Sequence, residues 1–126
     1  MILIDSDILI YVLRNNIEYT KSFKDAVIQY SGDIYITPIQ IIEITSGMRK
    51  KERMYTELFL NSLEIIDIDK NIGFLAGEYM NQYMKSHGLK SADSIIGAVS
   101  KIHNLKLWTN NKKHYPMFSS TDFYTC

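Results

Sequence analysis

Few residues in this sequence can cross-link or interrupt the chain. Among 126 residues there are two prolines and a single cysteine, Cys126, at the last position. A lone cysteine excludes an internal disulfide, and we interpret this one as incidental because chain ends fray. No apolar run approaches the ~20 residues needed to span a bilayer, and the first residues lack the basic segment and cleavage site of a signal peptide. These absences predict a protein of the reducing cytoplasm without a membrane segment.

The chain also has no excess of charge of either sign. Fourteen Lys and Arg residues balance fourteen Asp and Glu residues, so the formal net charge is zero. This balance neither indicates nor excludes nucleic-acid binding, because local clustering of charge decides it. Two basic runs are present, MRKKER and NNKKH. Each run is also explained as a solvated helix face or loop.

Apolar residues, by contrast, are well supplied. They make up 46% of the chain, against 22% for charged residues, which is typical of a folded protein rather than a disordered one. A length of 126 residues suits one domain with a sizeable core. We therefore expect a single domain over residues 1–126.

Short apolar runs alternate with helical patterns along the whole chain. Residues 2–4 are all apolar and rich in β-branched side chains, which is typical of a strand buried on both faces. Similar runs at 34–36, 63–66 and 105–108 predict further strands, and 122–124 is a candidate for a short last one. Strands that alternate with helices indicate right-handed crossovers and a mainly parallel sheet covered on both faces. The predicted fold class is a three-layer α/β/α sandwich with a sheet of four to five strands.

Helix starts are marked by residues that can cap backbone N–H groups. We expect Ser6 or Asp7 to cap the helix that follows the first strand. Thr37 followed by Pro38 predicts another helix start. Ser91 is expected to cap the apolar helix before the last strand.

Carboxylates lie where a parallel sheet binds its ligands, at the carboxyl ends of the strands. Asp5 comes directly after the first strand, with Ser6 and Asp7 behind it. Glu43 lies in the second turn of the helix after the second strand, and Asp93 lies near the start of the helix before the last strand. Each has a purely structural explanation, which is helix capping for the aspartates and an ion pair with a nearby basic residue for Glu43. Together, however, three separate elements bring acid to one edge of the sheet.

Carboxylates gathered at one edge repel one another unless a cation neutralises them. Oxygen ligands without Cys or His pairs suit Mg²⁺ or Mn²⁺ better than zinc. Such an ion acidifies water and stabilises negative charge on a phosphate. The pattern therefore predicts metal-assisted hydrolysis of a phosphodiester bond.

Three blocks of the sequence resemble the PIN-domain ribonucleases, and specifically the VapC toxins of bacterial and archaeal type II toxin–antitoxin systems. They are ILIDSDILI, ITPIQIIEI and SADSIIGAVSKIHNLKLWTNNKKHYPMF. The last block is the most specific, because it joins an Asp that opens an apolar helix to a short strand and a T-x-N-x-x-H-[FY] turn. The resemblance covers essentially the whole chain. It implies a PIN-like, Rossmann-like sandwich, RNA cleavage that depends on Mg²⁺ or Mn²⁺, a neutralising VapB-type antitoxin and, by analogy, a homodimer.

The resemblance also assigns roles to residues of this chain. The catalytic carboxylates, which also bind the metal, fall on Asp5, Glu43 and Asp93. Auxiliary ligands, or residues that orient ligands and waters, fall on Ser6, Asp7, Thr109 and Asn111. The basic runs are then placed to contact RNA phosphates, through Arg49, Lys50, Lys51, Arg53, Lys112 and Lys113.

Two positions depart from the family pattern. Position 7 is often Asn in the family and is Asp7 here, so a further carboxylate either caps the helix or adds an auxiliary contact. Position 111 is Asn111 rather than Asp, a change that also occurs among such toxins and that supplies a neutral oxygen. His114 is a candidate general acid, but a loop histidine beside an aromatic residue is more often structural, and we interpret it so.

Other interpretations stay open from the sequence alone. An apolar strand followed by D-x-D also resembles haloacid-dehalogenase-type phosphatases, with Asp5 as nucleophile and Asp7 as general acid, although no convincing later acidic pair follows. A receiver-like signalling module would need a phospho-acceptor at the end of the third strand, for which Asp67 or Asp69 is available. A degenerate PIN domain that only binds is the last alternative, and the retained carboxylates argue against it.

Overall fold

A four-stranded parallel sheet forms the centre of the computed structural model, which describes residues 1–125. Its strands are β1 (Ile2–Ile4), β2 (Ile34–Ile36), β3 (Glu64–Ile65) and β4 (Lys106–Trp108). They lie in the order β3-β2-β1-β4, and each neighbouring pair is parallel. The predicted α/β fold with a parallel sheet is confirmed. Cys126 lies outside the described residues.

Helices connect the strands and cover the sheet. They are α1 (Ser6–Leu13), α2 (Ile17–Gln29), α3 (Pro38–Gly47), α4 (Arg53–Asn61), α5 (Lys70–His87) and α6 (Ser91–Ile102). Short 3₁₀ helices lie at Lys50–Glu52, Lys112–His114 and Ser120–Asp122. Over residues 1–125, every helix is too short or too polar to cross a lipid bilayer.

The candidate fifth strand at 122–124 does not form. Phe123 makes an isolated parallel bridge to Leu107, but the residues before it turn in a 3₁₀ helix. Asp122 holds that turn, because its carboxylate accepts the Ser119 N–H at 2.8 Å. The sheet therefore has four strands in the described part of the chain.

Two of the predicted helix caps are wrong. Asp5, not Ser6 or Asp7, is the N-cap of α1, and its side chain accepts the Ser6 N–H. Ser91 is the first residue of α6 rather than its cap, because the extended backbone at Lys90 sets the boundary one residue earlier. The predicted start of α3 is confirmed.

The central strand β1 is buried on both faces, as its all-apolar sequence predicts. Ile2 and Ile4 point to one side of the sheet and pack in a cluster with α1 and α2 residues. Leu3 points to the other side, in a cluster with residues of α5 and α6. All three side chains have no exposed surface. Asp5 directly follows this strand, so it lies at the carboxyl edge of the sheet and next to the core.

Candidate active site

Asp5 lies at the carboxyl end of β1, next to the end of β4. Its backbone N–H donates to the Trp108 carbonyl oxygen at 2.9 Å, which continues the pairing of the two strands by one residue. The side chain is only 8% exposed. Three donors hold its carboxylate, at 2.8 Å from the Ser6 N–H, 2.9 Å from the Thr109 hydroxyl and 2.8 Å from the Tyr115 hydroxyl. Asp5 thus caps α1 and also forms the centre of a polar network.

Tyr115 is a member of this network that the sequence pattern did not reveal. Its side chain is buried, and its hydroxyl lies 2.8 Å from Asp5 Oδ2 and 3.4 Å from Asp93 Oδ1. Burial, and after it the negative charges of Asp5 and Asp93, raise the pKa of Tyr115, so the phenol is a neutral donor. The last position of the T-x-N-x-x-H-[FY] turn predicts an aromatic ring. It does not predict a hydroxyl that faces the carboxylates.

Glu43 reaches the same edge from α3. Its Oε1 accepts a 3.0 Å hydrogen bond from the Ser6 hydroxyl, so Ser6 joins the start of α1 to α3. Gln40, one turn earlier and fully buried, donates from Nε2 to the Ile4 carbonyl oxygen at 2.9 Å and accepts the Thr37 N–H. This link holds α3 against the end of β1 and so fixes where Glu43 enters the site.

Asp93 lies in the first turn of α6 and is half-buried. Besides the Tyr115 contact, its Oδ2 lies 3.8 Å from His114 Nδ1. His114, which we predicted to be structural, therefore stands beside a carboxylate of the site. Its ring is exposed and the contact is long, so the pair is weak.

Asp7 binds the loop after β4 rather than capping α1. Its Oδ2 accepts the Asn110 backbone N–H and the Asn111 side-chain N–H, each at 3.0 Å. Its Oδ1 accepts the Ile8 N–H at 2.8 Å. In the same loop the Asn111 N–H donates to the Thr109 hydroxyl at 3.0 Å, and Thr109 in turn donates to Asp5. The four predicted auxiliary residues therefore belong to one network around the Asp5 carboxylate.

The carboxylates are close enough to influence one another's charge. Burial first, and then the negative charge of Asp5, raise the pKa of Asp7 and of Asp93. Partial burial also raises the pKa of Glu43, assisted by the charges of Asp5 and Asp93 and opposed by the Ser6 hydrogen bond. Burial is thus the larger cause of the three raised pKa values, and the neighbouring negative charges add to it.

This cluster suits a hard divalent cation in donor chemistry and in charge. All its acidic donors are carboxylate oxygens, the ligands that Mg²⁺ and Mn²⁺ prefer. A cation would also relieve the mutual repulsion that the raised pKa values report. Within residues 1–125, however, no three His, Cys, Asp or Glu side chains form a ready-made metal-binding group. An ion bound here would have to draw the carboxylates closer together.

A surface groove of about 540 Å³ begins at Glu43. Its apolar wall includes Ile10, Leu13 and Ile44, and its basic residues include Arg14, Arg49 and Lys51. We call this the Glu43 groove. Of the predicted RNA contacts, Arg49 and Lys51 line it, whereas Arg53 is paired with Glu57 at 2.9 Å on the exposed face of α4.

The second basic run lies in the 3₁₀ helix Lys112–His114, directly after Asn111. The Lys112 ammonium is 5.5 Å from the centre of the Phe123 ring, a distance at which a cation and a ring attract. Lys113 is exposed in the same 3₁₀ helix. The two basic runs therefore belong to different parts of the fold, one along the Glu43 groove and one in the 3₁₀ helix after Asn111.

Comparison with known proteins places this fold and site in one family. The family model of the PIN domain matches residues 2–123. Ribonuclease VapC10 of Mycobacterium tuberculosis is 33% identical over 119 residues, which cover 94% of this chain and 88% of that protein. Ribonuclease VapC1 of Methanocaldococcus jannaschii is 30% identical over 117 residues, or 90% of this chain and 78% of the relative. Among solved structures, a toxin–antitoxin complex from Klebsiella pneumoniae superposes with a TM-score of 0.80 and 25% identity, over 99% of this chain and 97% of that one.

The match to the PIN family model, together with acidic side chains at the carboxyl edge of a parallel sheet, defines the class as a nuclease of the PIN type. The chain belongs to the PIN-domain family and, within it, to the VapC ribonucleases. The phosphatase and receiver interpretations are not favoured, because the PIN family model accounts for residues 2–123.

Proposed function

We propose that the protein is an endoribonuclease that depends on Mg²⁺ or Mn²⁺ and acts as the toxin of a toxin–antitoxin pair. The observation that carries the proposal is the placement of Asp5, Glu43 and Asp93. Three elements of the fold bring these carboxylates to one edge, where burial, and with it the charge of Asp5, raises the pKa of Glu43 and of Asp93. Helix capping alone would not explain why three such carboxylates lie at one edge.

In this proposal Asp5, Glu43 and Asp93 hold the cation. The ion supplies a positive charge that stabilises the phosphate in the transition state and acidifies a water molecule. Asp5 is fixed by its three donors and therefore anchors the site. Glu43 is the exposed carboxylate, and this exposure gives it access to the attacking water as a proton acceptor.

The remaining residues orient and bind. Ser6 positions Glu43 through a hydrogen bond of 3.0 Å, and Thr109 positions Asp5 through one of 2.9 Å. Asn111 commits its NH₂ group to Asp7, which leaves its carbonyl oxygen to orient a water or the ion. RNA phosphates are contacted by the two basic runs, which are Arg49, Lys50, Lys51 and Arg53 in the first and Lys112 and Lys113 in the second.

The test is cleavage of labelled RNA by the isosteric variants Asp5→Asn, Glu43→Gln and Asp93→Asn. Each is expected to lower the cleavage rate by about a hundredfold or more, the usual contribution of a positioned acid or base. Asp122→Asn is the matched control, because Asp122 pairs with Lys101 on the surface and does not touch these carboxylates. EDTA should abolish cleavage by the wild-type protein, and Mn²⁺ should restore it.

The chemical groups at the ends of the cleaved RNA show which nucleophile attacks the phosphate. Hydrolysis by an activated water leaves a 5′-phosphate and a 3′-hydroxyl. A 2′,3′-cyclic phosphate would contradict the proposal, because it indicates attack by the RNA's own hydroxyl. A variant that cleaves at the wild-type rate would remove its residue from the assignment.

We also propose that an antitoxin segment occupies the Glu43 groove. The solved neighbour from Klebsiella pneumoniae is a toxin–antitoxin complex, and this groove offers an apolar wall next to the acidic site. A segment with apolar side chains for the wall and an arginine for the carboxylates would cover the site and so block cleavage. Tyr55→Asp, at an exposed position of the groove, should abolish co-purification with a co-expressed VapB-type antitoxin, whereas Phe74→Asp at an exposed position of α5 should not.

A homodimer is also part of the proposal. The first helices expose apolar side chains, for example Ile17 at 88% and Ile28 at 78%. Light scattering on the purified protein would test this directly, and a monomer at micromolar concentration would contradict it.

A further inference from the structure

The Tyr115 hydroxyl lies within hydrogen-bonding distance of two carboxylates of the acidic site. We propose that Tyr115 is a positioning residue for the metal: its hydroxyl fixes the Asp5 carboxylate and links it to Asp93, and its loss weakens cation binding. This inference rests on the proposed function, because it concerns the same site.

The single proton of the phenol gives its hydrogen bonds a direction. The phenol oxygen is 2.8 Å from Asp5 Oδ2 and 3.4 Å from Asp93 Oδ1. A phenol has one proton to donate, so the shorter contact to Asp5 takes most of it. The longer contact to Asp93 is the weaker branch of this shared hydrogen bond. One neutral donor therefore lies between two groups that otherwise repel each other.

The ring of Tyr115 is held independently of its hydroxyl. It stacks on Phe118 with the ring centres 5.6 Å apart and meets Phe123 edge to face at 6.4 Å. The neighbouring Met117 packs directly over Gly97 of α6, where a Cβ would lie 3.2 Å from its methyl carbon. Because packing fixes the ring, the hydroxyl is presented to Asp5 at a set distance, and removing the oxygen alone should leave the loop in place.

The acceptor positions of Asp5 are mostly occupied by protein donors. Its Oδ2 accepts from both Tyr115 and Thr109, and its Oδ1 accepts the Ser6 N–H. A carboxylate has about four lone-pair positions, so the described contacts leave one, on Oδ1. The two hydroxyls thus occupy Oδ2 and leave the remaining acceptor position on Oδ1. This is how outer hydrogen bonds set the orientation and the affinity of a metal-binding carboxylate.

The test is calorimetric titration of Mn²⁺ into the full-length protein and its variants. Tyr115→Phe keeps the ring and removes the hydroxyl, and we expect it to weaken Mn²⁺ binding by about ten- to a hundredfold. Tyr79→Phe is the matched control, since Tyr79 is a partly buried tyrosine of α5 packed in the same apolar cluster. Thr109→Val removes the other donor to the same oxygen and should weaken binding in the same direction. Thermal unfolding in EDTA shows whether each variant is folded.

The outcomes separate this inference from the proposed function. If the wild-type protein binds no Mn²⁺, the proposed metal dependence fails and the inference fails with it. If the wild type binds and Tyr115→Phe binds equally well, only the inference fails, and the hydroxyl is merely structural. Tighter binding by Tyr115→Phe would also overturn it, because the hydroxyl would then compete with the ion.

Discussion

Asn111 donates a side-chain hydrogen bond of 3.0 Å to Asp7, a residue 104 positions earlier in the chain. These are the two positions at which the sequence departs from the family pattern, in which position 7 is often Asn and position 111 Asp or Asn. The structure shows that the two departures meet in one contact. The same Asp7 oxygen also accepts the Asn110 backbone N–H, so one carboxylate oxygen binds two donors of the loop after β4.

This relationship predicts a coupling between the two residues. Asp7→Ala and Asn111→Ala each remove this hydrogen bond, so the second truncation should cost less stability once the first has been made. In urea unfolding the double variant should be more stable than the sum of the single variants by about 0.5–3 kcal/mol. Purely additive free energies would show that the contact does not join the loop to α1.

The raised pKa values predict how stability depends on pH in the absence of metal. Burial and neighbouring charge raise the pKa of Glu43, whose ordinary value is 4.5. The folded protein therefore holds this proton more tightly than the unfolded chain. Its contribution to stability is present below pH 4.5 and is lost as the pH rises through the folded-state pKa. In EDTA, Glu43→Gln should gain melting temperature relative to wild type as the pH rises from 4 to about 7.

Asp122 supplies a control of opposite sign for that experiment. Its hydrogen bond from Lys101, at 2.8 Å, lowers its pKa below the ordinary value of 3.8. The stability it contributes is present above pH 3.8 and is lost as the pH falls through the lower folded-state value. Asp122→Asn should therefore lose melting temperature relative to wild type at neutral pH and lose less in acid. If both variants shift in the same direction, the acidic cluster is not the source of the effect.

Much of the fold follows from short patterns in the sequence. The run at Ile2–Ile4 predicted the central strand because a buried parallel strand needs apolar residues on both faces. Thr37 before Pro38 predicted the start of α3, since both residues act through local backbone geometry. Asp5 had two interpretations, a helix cap and a site residue, and its contacts fit both, because one oxygen accepts the Ser6 N–H and the other accepts from Thr109 and Tyr115.

The site is harder to read from sequence because its contacts span most of the chain. The Tyr115 hydroxyl contacts Asp5, which lies 110 positions earlier in the chain. No local sequence pattern indicates that this buried aromatic residue contributes its hydroxyl to the site. Asp7 was interpreted as either a cap or an auxiliary ligand. Its partners, Asn110 and Asn111, become visible only when β4 is paired beside β1.

Gln40 is buried and does not contact the catalytic carboxylates, but we predict that the site depends on it. Gln40→Leu removes the donor to the Ile4 carbonyl oxygen and the acceptor for the Thr37 N–H. Each buried backbone group left unpaired should lower the free energy of unfolding by about 1–3 kcal/mol. Because Glu43 is one turn further along α3, RNA cleavage should fall as well. Gln82→Leu on the exposed face of α5 is the control, and an equal loss of stability in both variants would contradict the prediction.

The basic wall of the Glu43 groove predicts a salt-dependent effect on RNA binding. Arg49 is paired with Glu52 at 3.6 Å, but both side chains are exposed, so the pair is weak and the guanidinium stays available to a phosphate. In an Asp93→Asn background that does not cleave, the variant Arg49→Gln with Lys51→Gln should bind single-stranded RNA more weakly. The slope of log affinity against log salt should flatten by about 0.7 for each phosphate that the variant no longer neutralises. The control pair, Lys21→Gln with Lys24→Gln on the exposed face of α2, removes the same charge. An equal flattening there would show that net charge, and not the groove, binds the RNA.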